Sequence, residues 1–234
     1  MRHTVTATLS ALATCIAMAS PAVADGPTVV ELYTSQGCSS CPPADEILHE
    51  LAGQSHVIAL ALHVDYWDYI GWADIFADPA HTRRQQNYAR VAGANSIYTP
   101  QMVIGGADHV IGTKPMDVAN LIRTHSANPT GTLISLQRSG NQLQISGQTA
   151  RALRNGTVVQ VIRYSPEETV DVRRGENAGR TLTYSNIVTQ WSAVGEWSGS
   201  RDLNMNVTIS GNSPVVVIVQ EPGPGAVMAS AVLR

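Results

Sequence analysis

The chain has 234 residues, 44% of them hydrophobic and 14% charged, which is enough apolar content to bury a core and too much for a disordered chain. A formal net charge of −3, with Lys114 the only lysine among 15 cationic residues, gives no general electrostatic basis for binding nucleic acid. Three cysteines are too few for a disulfide-built scaffold, so stability has to come from packing.

In chain order, Met1-Arg2-His3 opens a small, apolar run that ends in Ala22-Val23-Ala24, the pattern of an export signal over residues 1–24. The run falls short of the ~20 strongly apolar residues of an anchor, so a periplasmic or secreted protein without stable membrane insertion is expected. Cleavage would remove Cys15 and leave Cys38 and Cys41. Residues 28–33 read as a buried strand, followed by a helix from Cys41 to Ala52 with Pro42 in its first turn and Gly53 at its end. Residues 57–64 form a second apolar strand. An insert at 65–78 then gathers Tyr66, Trp67, Tyr69, Trp72 and Phe76, either as a platform for a substrate or as a small core of its own. Asp78-Pro79 caps a helix running to Val91. Residues 101–104 and 109–111 form a hairpin across Gly105-Gly106, and a last helix covers 114–125.

A breaker cluster, Ala127-Asn128-Pro129-Thr130-Gly131, marks a boundary. The expectation is an α/β domain over 25–127 with the order β-α-β-α-β-β-α, followed by an all-β, sandwich-like domain over 128–234. The second half reads as short strands at 132–137, 142–149, 157–164, 170–173, 181–190, 203–210, 214–220 and 226–233. Its charged loop, residues 173–180, is either a long hairpin connection or a contact with the first half or a partner. No histidine or cysteine follows residue 130, so the chemistry is expected in the first half.

That chemistry centres on Cys38-Ser39-Ser40-Cys41, placed between a strand and a helix. Free backbone N–H groups and the helix dipole at such a junction favour a thiolate at Cys38, and Cys41 is close enough to resolve a mixed disulfide. A structural staple is the bland alternative, although so short a loop gains little from crosslinking. Two thiolates with His63 as third ligand could instead hold Cu(I) or Zn.

Residues 28–126 resemble a thioredoxin-like α/β domain, and the chain as a whole resembles an uncharacterised family of exported bacterial thioredoxin-like proteins with a C-terminal β domain. The segments that carry the likeness are residues 30–45 around the cysteine pair, His63-Val64-Asp65-Tyr66-Trp67-Asp68, Tyr98-Thr99-Pro100-Gln101 and residues 174–181. The resemblance implies thiol–disulfide exchange with protein thiols or disulfides and a redox partner protein, with no bound cofactor. It further implies Cys38 and Cys41 as the redox pair, Thr99 and a cis Pro100 as substrate-orienting residues, and Glu31 as the buried acid. A non-catalytic interaction protein built on the same frame is the other reading.

Overall fold

Runs of apolar residues with no polar alternation give strands buried on both faces, and they set the centre of this fold. The computed structural model describes residues 26–153 and 156–234; the expected export signal and Cys15 lie outside the described residues. The first half contributes β1 (Thr28–Thr34), α1 (Pro42–Ala52), β2 (Val57–His63), a 3-10 turn at Asp68–Ile70, α2 (Pro79–Val91), β3 (Gln101–Ile104), β4 (Asp108–Ile111) and α3 (Pro115–Ala127). The second half contributes β5 (Thr132–Ser139), β6 (Gln142–Thr149), β7 (Thr157–Asp171), β8 (Thr181–Trp197), β9 (Leu203–Thr208), β10 (Val215–Gln220) and β11 (Val227–Leu233). Every residue of β1, β2, β3 and β10 is buried.

The expected thioredoxin-like α/β domain followed by a separate β-sandwich is corrected by the sheet topology. Eight strands from both halves form one mixed sheet in the order β11-β10-β7-β8-β2-β1-β3-β4, and β5-β6-β9 form a second, three-stranded sheet. The described residues hold three α-helices, so the molecule is mostly β. The join is made where β8 runs parallel to β2, with Ala61 opposite Ile187. The physical reason lies in β2: a strand buried on both faces cannot stand as an open edge, and the β7–β8 hairpin covers it.

The cores follow the same logic. One face of the large sheet carries a single cluster drawn from both halves, including Val29, Leu60, Leu62, Ile162, Val188, Val216 and Tyr88 of α2. On the opposite face, α1 and α3 cover one end through Ala44, Leu48, Val118 and Ile122, packed on Leu32 and Met102. The small sheet covers the other end through Leu143 and Ile145, against Val159, Val217 and Trp197.

The strands expected at 157–164 and 170–173 are one strand. Pro166 falls between them, but the ladder runs up to Ser165 opposite Ile187 and resumes with Glu167 opposite Ser185. The facing residue Asn186 takes a positive φ of 51° and donates its Nδ2 to Ala59 O at 2.9 Å. Asparagine tolerates that backbone better than most residues, and the ladder runs on past it to Asp171 opposite Thr181.

Candidate functional site

Cys38 and Cys41 are joined in a disulfide with their Cα atoms 5.4 Å apart, on the loop that carries the chain from β1 into α1. The loop is wound tightly by its own backbone: Cys38 N donates to Ser35 O at 3.1 Å and Cys41 N to Cys38 O at 3.2 Å. Cys41 occupies the N-cap position, and its carbonyl accepts from the Ala44 and Asp45 N–H groups. Pro42 and Pro43 fill the first helical positions, where a missing N–H costs no hydrogen bond. The pair therefore sits on the positive end of the helix dipole.

Two elements cover it. From the aromatic insert, Trp72 Nε1 donates to Gln36 Oε1 at 2.8 Å, and Asp74 Oδ2 accepts from Gln36 N at 2.8 Å. Trp67 Nε1 donates to Thr99 Oγ1 at 2.8 Å, tying the insert to the residue before Pro100. Gly37 lets the insert approach closely, since a Cβ there would lie 3.0 Å from Ile70 Cδ1 and 3.2 Å from Trp67 Cβ. From the β7–β8 hairpin tip, Asn177 Nδ2 donates to both Gln36 O (2.9 Å) and Cys38 O (3.0 Å). Glu176 Oε2 accepts from Ser39 N (3.2 Å) and Ser39 Oγ (2.6 Å), and these bonds hold its carboxyl below the usual range. The result is that Cys38 is 1% exposed and Cys41 fully buried, while Ser39 and Ser40 remain at the surface.

Behind the pair lies a buried polar array. His63 Nδ1 is 2.7 Å from Asp74 Oδ2, and the His63 ring is edge-on to Tyr184 and Phe76 at centroid distances of 4.7 and 5.3 Å. Asp45, one turn into α1 from Cys41 and on the same helix face, accepts from Thr34 Oγ1 at 2.8 Å. Burial pushes its carboxyl up to about 7, against the opposing pull of His63 and the Thr34 hydroxyl, with Asp74 adding to the rise. Burial, with Asp45 and Asp74 nearby, also pushes the Tyr184 phenol up. Among the described residues, the buried side-chain polar atoms without a hydrogen-bond partner are Gln36 Nε2, Asp45 Oδ2, His63 Nε2 and Tyr184 OH. An orphaned buried polar atom costs roughly 1–3 kcal/mol, so these four make the region behind the disulfide a local cost to stability. A cleft of about 280 Å³ between α1 and β8, lined by Pro42, Asp45, His49, Leu182 and Tyr184, opens beside this array.

Of the residues singled out from sequence, Cys38 and Cys41 are bonded to each other. Thr99-Pro100 is a cis peptide, and Pro100 shares with Leu32 and Ala44 the space next to Gly112. Glu31 lies elsewhere. Its carboxylate takes both Arg84 Nε (2.7 Å) and Nη2 (2.8 Å), together with the Tyr33 and Tyr88 hydroxyls, on the sheet face away from α1. His63 is committed to Asp74, and among the described residues no three of His, Cys, Asp and Glu are disposed to hold a metal ion. Sequence reasoning missed Asp45, Asp74 and Tyr184, and held Glu176 and Asn177 only as members of the loop 173–180 that could contact the first half, as they do. Asp45 had a signal: it sits within the buried stripe Ala44, Leu48, Leu51, where a carboxylate has no reason to be.

The fold is shared with solved structures. A crystal structure of protein AGR_C_4864 from Agrobacterium tumefaciens is 31% identical, with a TM-score of 0.78 over 92% of this chain and 96% of that one. HBP35 of Porphyromonas gingivalis is 12% identical, with a TM-score of 0.63 over 90% of this chain and 76% of that one, and speaks for the fold alone. No curated protein matches. The model of a family described as protein of unknown function, DUF1223, matches residues 29–220. With that match spanning most of the chain, the protein belongs to the DUF1223 family.

Proposed function

We propose that this is an exported thiol–disulfide exchange protein, periplasmic or secreted, that acts on protein thiols or disulfides through Cys38 and Cys41 and is recycled by a redox partner protein. Cys38 is the thiol that meets the partner. As a thiolate it attacks one sulfur of a partner disulfide, forming a mixed disulfide and releasing the other partner sulfur as a thiolate that takes up a proton. Cys41 then loses its proton to the Asp45 carboxylate and attacks Cys38 Sγ. The Cys38–Cys41 disulfide forms, the second partner thiol leaves, and two electrons have passed to the partner. Run in reverse, the same steps oxidise a partner dithiol. Thr99 and cis Pro100 orient the partner chain.

The observation that carries this reading is the pair at the start of α1, backed by a buried carboxyl whose proton affinity lies near neutrality. The local likeness of residues 30–45 and 98–101 to thioredoxin-like proteins supports the roles given to the pair and to Pro100; the overall architecture plays no part in that support. The test is the redox equilibrium of the pair in glutathione buffers, approached from the oxidised and the reduced side and read by thiol alkylation. A potential between about −270 and −120 mV, the span of thiol-disulfide enzymes, is expected, and Cys38→Ser should abolish exchange with protein substrates. A pair far more reducing than that span, or Cys38→Ser retaining full activity, overturns the proposal.

A further inference from the structure

The β7–β8 hairpin does something that completing a sheet does not require. Its tip reaches back to the cysteine loop, and the four hydrogen bonds between them come from two adjacent residues, Glu176 and Asn177. Asn177 is itself 1% exposed and has its amide oxygen fixed by Arg180 Nη1 at 3.1 Å, so its Nδ2 is aimed at the Gln36 and Cys38 carbonyls. Gly175 and Gly179, both with positive φ (77° and 83°), bracket these residues. Around that bracket the chain is otherwise surface: Arg173, Arg174, Ala178, Gly179 and Arg180 are all exposed. The tip is thus a short, glycine-flanked segment, anchored on a loop whose two sulfurs it helps to bury.

We propose that the hairpin tip is a latch: Glu176 and Asn177 hold the Cys38–Cys41 pair closed to free thiols, and the tip must lift before exchange. This deepens the exchange reading and rests on it for its purpose, but the latch itself is measured by access to the disulfide. It also sets the partner class. A small thiol waits for spontaneous opening, whereas a polypeptide that displaces the tip reaches Cys38 directly. Lifting the tip frees the Gln36 and Cys38 carbonyls and the Ser39 N–H and hydroxyl for water or the partner chain, and carries the Asn177 amide out with it.

The experiment is reduction of the oxidised protein by dithiothreitol at increasing concentration, followed by alkylation, for the wild type, Glu176→Gln and Asn177→Ser. With a latch, the wild-type rate rises and then levels off at the opening rate, because opening limits reduction. Glu176→Gln removes the charge behind both Ser39 bonds and Asn177→Ser removes the Nδ2 donor, and each should raise that plateau roughly tenfold. Glu176→Gln keeps the size of the side chain on the surface and guards against a folding defect, and unchanged thermal melting of the oxidised form confirms it. Wild-type rates that stay linear in reductant and equal to those of the variants overturn the latch while leaving the exchange proposal standing. Variants that open freely yet fail to exchange with any protein disulfide overturn the exchange reading while leaving the latch.

Discussion

Replacing Asp45 by asparagine separates the stability cost of this buried carboxyl from the proton transfer proposed for it. Moving an aspartate from its ordinary 3.8 up to about 7 means that the folded state binds a proton which the unfolded chain has already released. Between those values the folded state holds more protons, so its stability falls as pH rises, and above about 7 the loss is complete. At 1.36 kcal/mol per pH unit the loss is about 4 kcal/mol, and burial is its main cause. Asp45→Asn cannot ionise and so escapes it. The amide leaves an NH₂ where Oδ2 already lacked a partner, a cost that does not vary with pH. Urea unfolding of the oxidised proteins at pH 4 and pH 8 should therefore show the variant gaining about 4 kcal/mol on the wild type between the two. If Asp45 also accepts the Cys41 proton, the same variant should resolve mixed disulfides about a hundredfold more slowly while forming them at the wild-type rate. Stability profiles that run parallel from pH 4 to pH 8 would refute the assignment of a raised proton affinity to Asp45.

Glu31→Gln should cost about 3–5 kcal/mol in urea unfolding, because it leaves the Arg84 guanidinium, 3.8 Å over the Trp191 ring, without its carboxylate. The potential of the cysteine pair should not move; a change in exchange rate with stability intact would give Glu31, the buried acid expected from sequence, a part in proton transfer. Gly37→Ala should cost about 1–3 kcal/mol and lower the melting temperature, since the new methyl group meets Ile70 and Trp67 in the insert.

The local elements were legible because their punctuation is chemical. Pro42, Pro79 and Pro115 open the three helices, and Asp78 Oδ1 accepts from Ala80 N at 2.7 Å as an N-cap should. The edge to which the second half attaches was not legible, because the alternation of a strand is the same whichever sheet it joins. Pro166 reads as a break for a sound reason, having no N–H to give a ladder, but the pairs on either side of it, Ser165 with Ile187 and Glu167 with Ser185, keep the hairpin continuous. The cover over the site was half legible. Residues 173–180 read as a charged loop that could touch the first half, but the bond from Asn177 to Cys38 spans 139 positions, and no periodicity reports a contact of that range.

Every histidine and cysteine of the sequence precedes residue 130, so the exchange chemistry proposed above falls in the first half. That placement does not assign the environment of those atoms. β2, buried along its whole length, needs a neighbour on its far side, and β8 supplies one. The same strand then carries Tyr184 onto His63 and, with Leu182, lines the cleft beside Asp45, while the turn that precedes it lays Asn177 on Cys38. One hairpin thus closes the sheet edge, helps to dry the carboxyl and, with the aromatic insert, shields the disulfide. A substitution that loosens β8 against β2 therefore reaches the chemistry without touching a cysteine, through the burial on which the proton affinity of Asp45 depends.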